Sequence, residues 1–143
     1  MNSHDTTIPR SKNIIFWNDL EGSIFFNKIF SYPVRIGEIE LDSLTIDNDI
    51  PTIIFEFDIS EYPDAPPQKW KQADFNICRI GLNCGTPKKV KIINIPTNNK
   101  LTVQITQQQD SLLVQAFNDT SLIELETKHL LLCGPSAYKN IIN

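Results

Sequence analysis

The sequence predicts an α+β fold: a mainly antiparallel β-sheet of about eight strands with a short N-terminal helix. Three observations lead there. Runs rich in β-branched and aromatic residues recur from Glu38 to Cys133, several alternating strictly with polar residues, as half-buried strands do. Most connections between these runs are short, which favours antiparallel neighbours because parallel strands need long crossovers. A single stretch, Ser23–Phe30, places apolar residues at helical spacing.

Residues 1–12, MNSHDTTIPRSK, are polar and read as a flexible N-terminal segment ahead of one domain over 13–143. Ile14-Ile-Phe-Trp17 is the first apolar cluster. Ser23 stands where a helix N-cap belongs, Phe26, Ile29 and Phe30 share one side, and Pro33 stops the helix. In Glu38–Asp47, Ile39 and Leu41 have one parity and Leu44 and Ile46 the other, so a strand here needs a bulge near Asp42-Ser43. Asp47-Asn-Asp49 is a turn signal. Thr52–Ile59 returns as a strand with Ile53, Phe55, Phe57 and Ile59 on one face. Further strands are expected around Phe75–Cys84, Val90–Ile95, Leu101–Ile105, Leu112–Phe117, Leu122–Glu126 and His129–Cys133, the last broken by Gly134-Pro135.

The stretch Asp58–Phe75, DISEYPDAPPQKWKQADF, separates two of these strands by more than a tight hairpin allows. Pro63, Pro66 and Pro67 should make it rigid and extended, with Trp70 held at a fixed approach and substantially buried. Such a loop is either a structural tether or a platform shown to a partner.

Composition narrows the function. A formal charge of −4 lacks the basic footprint of a nucleic-acid binder. No apolar run is long enough to cross a membrane as a helix, and the start lacks the apolar core of a secretory signal. Three cysteines without a CxxC pair suit free thiols in a reducing cytoplasm.

Familiar catalytic patterns fail. Of two histidines, His4 lies in the loose start and His129 beside Leu130-Leu-Leu132, which suits a strand-end or core residue. The cysteines lack zinc spacing, the five glycines form no phosphate-binding loop, and Asp47-Asn-Asp49 lacks the rest of a calcium loop, so no metal or cofactor is implied. Glu56 and Asp58 share a strand face, the one pair that a small carboxylate-dependent hydrolase would use. The plainer account is a solvated face, and the chain reads as a non-enzyme.

Charge is segregated. From Glu38 to Asp64 there are nine acids and no Lys or Arg; from Lys69 to Lys91 there are six bases and one acid. Either these segments pair and neutralise each other, or the acids form a face for a basic partner. On the second account the contact residues are Glu38, Glu40, Asp42, Glu56, Asp58, Glu61 and Asp64.

One resemblance points to a role. Pro63-Asp64, Pro66-Pro67 and Lys69-Trp70, followed by Phe75-Asn76 and an alternating strand, resemble the bacterial immunity protein 50 (Imm50) family of polymorphic toxin systems. Phe16-Trp17 with Leu20, Gly22 and Pro33 resembles its opening, Glu56-Phe-Asp58 the strand before its proline loop, and Gly134, Ala137, Tyr138 and Asn140 its close. The resemblance implies a cytoplasmic protein that binds and neutralises a cognate protein toxin by stoichiometric occlusion, with Pro63, Pro66, Pro67, Lys69 and Trp70 as its structural motif. A β-rich carbohydrate- or peptide-binding module is the alternative, with Tyr62 and Trp70 as its place to look.

Overall fold

The computed structural model describes residues 12–141. Nine antiparallel strands share one sheet: β1 (Lys12–Ile14), β2 (Glu38–Asp47), β3 (Thr52–Ile59), β4 (Ile77–Gly85), β5 (Lys88–Ile93), β6 (Lys100–Gln107), β7 (Leu112–Phe117), β8 (Leu122–Thr127) and β9 (His129–Tyr138). Two short helices, α1 (Ile24–Ile29) and α2 (Gln68–Gln72), and a 3₁₀ turn at Trp17–Asp19 complete it. The expected class is found. The ninth strand is β1, whose three residues pair with β6 and are too few to show a period. The flexible segment expected over 1–12 lies outside the described residues except for Lys12, which pairs with Gln107.

The strand order is β5-β8-β7-β6-β2-β3-β4-β9, with β1 beside β6. Strands β4 and β5 stand near opposite ends of this order, yet only Thr86 and Pro87 separate them; Lys128 alone separates β8 from β9. Neighbouring Cα atoms are about 3.8 Å apart, so such links force the two ends together. The sheet is rolled, and β4–β5 with β8–β9 forms one bent antiparallel ribbon. At the bend the buried Thr127 hydroxyl donates to the Gly85 carbonyl at 2.6 Å and accepts from the His129 amide at 3.2 Å.

Strands β2, β3, β4, β6, β7, β8 and β9 each turn buried residues inward. Ile53, Phe55, Phe57 and Ile59 of β3 meet Cys78, Ile80, Leu82 and Cys84 of β4, and β6, β7 and β8 supply Leu101, Val103, Ile105, Val114, Ile123 and Leu125. The bulge expected in β2 is present: the register skips Asp42 between Leu41 and Ser43, which carries Leu41, Leu44 and Ile46 past the parity change. The Asp47–Asp49 turn is closed by the Asp49 amide donating to Asp47 Oδ1 at 3.0 Å.

The N-terminal part closes the roll. Trp17 packs on Phe57 with ring centroids 5.3 Å apart, and Phe26 stacks on Phe30 at 4.5 Å. Ser23 precedes α1 as expected, but its hydroxyl donates to the Asn18 carbonyl at 2.8 Å and does not cap the helix. Gly22 has φ +89°, and a side chain there would strike the Leu132 carbonyl of β9. The Leu132 amide donates to Glu21 O at 2.8 Å, so α1 starts hard against β9. Strand β9 itself does not break at Gly134-Pro135; it bulges there and runs on to Tyr138.

The proline loop is tethered to the end of α1. The Ala65 amide donates to Ile29 O at 3.0 Å, and the Asp64 carboxylate accepts from the amide and hydroxyl of Ser31. Pro67 is extended, with the φ of −58° that its ring imposes, and α2 begins directly after it. Trp70 is mostly buried, as expected, and packs against the core, edge-on to Phe25 at 6.2 Å and tilted against Tyr62 at 6.4 Å.

Two outcomes follow from this packing. Trp17→Ala should cost about 3–5 kcal/mol, the range of a buried aromatic, whereas Trp70→Ala should cost less, about 1–2 kcal/mol, for a ring left partly exposed; urea unfolding of both variants checks the ordering, and equal losses would contradict it. Burial also pushes the thiols of Cys78 and Cys84 up to about 12, with the nearby Asp58 and Glu61 charges adding to the Cys78 shift. The folded state therefore favours the protonated thiols. Their contribution to stability is complete below the ordinary thiol pKa of about 8.5 and is lost as pH rises to about 12. A thiol reagent at pH 8 should modify at most Cys133 in the native protein and all three cysteines in urea.

Candidate partner-binding surface

The outer face of β2, β3 and β4 carries the charge. Strand register places Asp58 between Glu40 of β2 and Arg79 of β4. Arg79 Nε donates to Asp58 Oδ1 at 2.8 Å, and its Nη1 lies 3.2 Å from Asp42 Oδ2. Asp42 reaches Arg79 because it is the extra residue of the bulge, released from pairing with β3. The Arg79 guanidinium sits 4.8 Å from the Tyr138 ring centre, and the Tyr138 hydroxyl donates to Asp58 Oδ2. The hydrogen bond to Asp58 raises the Arg79 pKa, and burial followed by Asp58 raises that of Tyr138.

Around this cluster Glu38, Glu40 and Glu56 are exposed and form no ion pair with a described residue. Glu56 accepts only a long hydrogen bond from Ser43, 3.3 Å. Lys100 stands opposite Glu40 across the β2–β6 pairing. A cleft of about 260 Å³ opens at this end of the sheet, lined by Glu38, Glu40, Asp58, Asn76, Lys100 and Tyr138.

The seven acids expected to act together are divided. Glu38, Glu40, Asp42, Glu56 and Asp58 share the sheet face. Glu61 and Asp64 lie in the proline loop near Tyr32, whose hydroxyl pKa is raised by burial and then by these two carboxylates. Asp64 is engaged by Ser31, and the Ser31 hydroxyl and amide hold its carboxyl below the usual range. Neutralisation between consecutive strand pairs is also only partial. Arg79 is the one base from Lys69–Lys91 that joins the acidic strands, while Lys89 and Lys91 of β5 pair with Glu126 and Glu124 of β8, each at 3.6 Å. Arg79 and Tyr138 as a clamp on Asp58 escape a reading of the sequence, because residues 58, 79 and 138 meet only through strand order. The sole trace is Arg79 itself, the single charge within β4.

Of the Glu56 and Asp58 pair on β3, Asp58 is held by Arg79 and Tyr138, while Glu56 stays exposed. His129 is exposed at the start of β9, beside a separate cleft of about 380 Å³ that also receives Ser111, whose hydroxyl donates to Gln108 instead. Among the described residues no group of three His, Cys, Asp or Glu is placed to hold a metal ion, and no helix is long and apolar enough to cross a membrane.

The model of the family described as immunity protein 50 matches residues 22–138. The chain belongs to the immunity protein 50 family. The match starts at Gly22, the residue that seats α1 on β9, and ends at Tyr138, the partner of Asp58 and Arg79. The whole acidic face and the proline loop lie inside the Imm50 match. No curated protein and no solved structure matches the chain.

Arg79→Met should lower stability by about 1–3 kcal/mol, the worth of charge-assisted hydrogen bonds whose acceptors lose their partner. Tyr138→Phe should cost less, because Asp58 keeps its guanidinium. Chemical denaturation checks both; a wild-type midpoint for Arg79→Met would show that the cluster adds nothing to the fold.

Proposed function

We propose that this protein binds a cognate toxin in the cytoplasm of the bacterium that makes it and neutralises the toxin by covering its working surface. The family match supports the immunity role, and the face of β2 and β3 supports the mode of contact. Three exposed glutamates there, Glu38, Glu40 and Glu56, form no ion pair with a described residue and stand beside the Asp42–Arg79–Asp58 cluster. A rigid acidic surface of this kind steers a basic partner and needs no catalytic group. Pre-formed strands hold the carboxylates, so little conformational entropy is lost on binding.

The test uses the protein with the toxin domain encoded beside it. Association should slow by about tenfold or more between 50 and 500 mM salt, as the screening length falls from roughly 14 to 4 Å. Dissociation should change far less. The triple variant Glu38→Gln, Glu40→Gln, Glu56→Gln should show the slower association already at low salt. Each exposed change should alter stability by no more than about 0.5 kcal/mol. Asp64 is left intact, because it ties the proline loop to Ser31. Tight binding with a salt-independent on-rate would remove the acidic face from the contact. Absence of both binding and protection by the wild type would remove the immunity role.

A further inference from the structure

Strand β5 closes one end of the sheet order and, among the described strands, pairs with β8 alone. All six of its residues, Lys88–Ile93, are exposed. Its register with β8 places Ile92 opposite the buried Ile123, on the core side, and Lys91 and Ile93 opposite Glu124 and Leu122, on the outer side. Val90, Ile92 and Ile93 are nonetheless 42, 37 and 52% exposed, since no described strand covers them. Lone surface aliphatics are ordinary, but several on one unpaired edge mark a docking strand or an aggregation hazard.

We infer that β5 receives an extended segment of a partner protein by strand addition, and that this segment alternates acidic with apolar side chains. Main-chain pairing would supply the outward edge of β5 with its missing hydrogen bonds. Apolar side chains of the added strand would cover Val90 and Ile92 on the core side. Its acids would meet Lys88, and Lys91 on the side away from its Glu124 partner, at the opposite-charge positions that stabilise cross-strand neighbours. The same lysines argue against a second copy of this chain as occupant, because pairing β5 with itself would crowd six lysines along one ribbon. The bulge between Lys88 and Lys91, with Lys89 at φ +51°, twists the first half of the edge, so the pairing centres on Lys91–Ile93. The inference rests on β5 alone and stands or falls separately from the acidic face.

The probe is a soluble peptide of about ten residues alternating glutamate with valine; its control replaces glutamate with lysine. Amide exchange of the full-length ¹⁵N-labelled protein is followed by NMR with either peptide at about 1 mM, the weak end of measurable affinity. The acidic peptide should slow exchange in residues 88–93 by about tenfold, the basic one should not, and Ile93→Asp should abolish the effect. If Ile93→Asp does not fold, Lys88→Gln with Lys91→Gln, both at exposed positions, should weaken the same protection. Unchanged exchange at β5, equal effects of the two peptides, or protection located elsewhere would overturn the inference. Sedimentation of the free protein as a dimer that Ile93→Asp dissociates would also overturn it, by making a second copy the occupant.

Discussion

The fold depends on the bend between Gly85 and Lys88, matched by the one between Thr127 and His129. Two links of one and two residues bring the ends of a long sheet together, and the buried Thr127 hydroxyl satisfies main-chain groups of both arms. A hydroxyl buried without partners is costly, so this one residue both permits the corner and fixes it. Closure gives most strands an inside and an outside. That division explains why Phe55 and Phe57 can be large and dry while Glu56 between them stays in water.

The corner also decides where charge goes. The sequence places an acidic segment directly before a basic one, and simple neighbour pairing would cancel them. The bend instead sends β5 away from β2 and β3 to lie beside β8, where Glu124 and Glu126 meet its lysines. Only Arg79, on the near side of the bend, remains with the acids, and the bulge at Asp42 lets one guanidinium serve two aspartates. The acidic and basic characters thus survive folding on different parts of the surface.

Much of this was legible beforehand. Alternation located eight strands, and the parity change in Glu38–Asp47 located the bulge, because both depend on spacing within one strand. The order of strands is a long-range property, and neither the β5–β8 pairing nor the meeting of Asp58, Arg79 and Tyr138 leaves a local mark. Helix α2 was hidden behind Pro66-Pro67: five residues are too few for a helical period, and the prolines suggested extended chain only. Trp70 does pack its ring against the core, as tryptophan usually does. The further tethers of the loop, through Asp64 and Ala65, join residues far apart in the chain and left no local mark. The family resemblance rested on order and spacing along the chain, which is why it could precede any knowledge of the sheet.

The ribbon has a consequence for synthesis. Ile77 of β4 pairs with Tyr138 of β9, so β4 waits for about 60 further residues, roughly 3–12 s at elongation rates of about 5–20 residues per second. During that interval the β9 edge of β4 has no partner strand. Arg79 also lacks Tyr138 until β9 emerges. The surface that clamps Asp58 thus forms in seconds set by translation, and a ribosome stalled before β9 leaves a chain with its acids in place and its scaffold open.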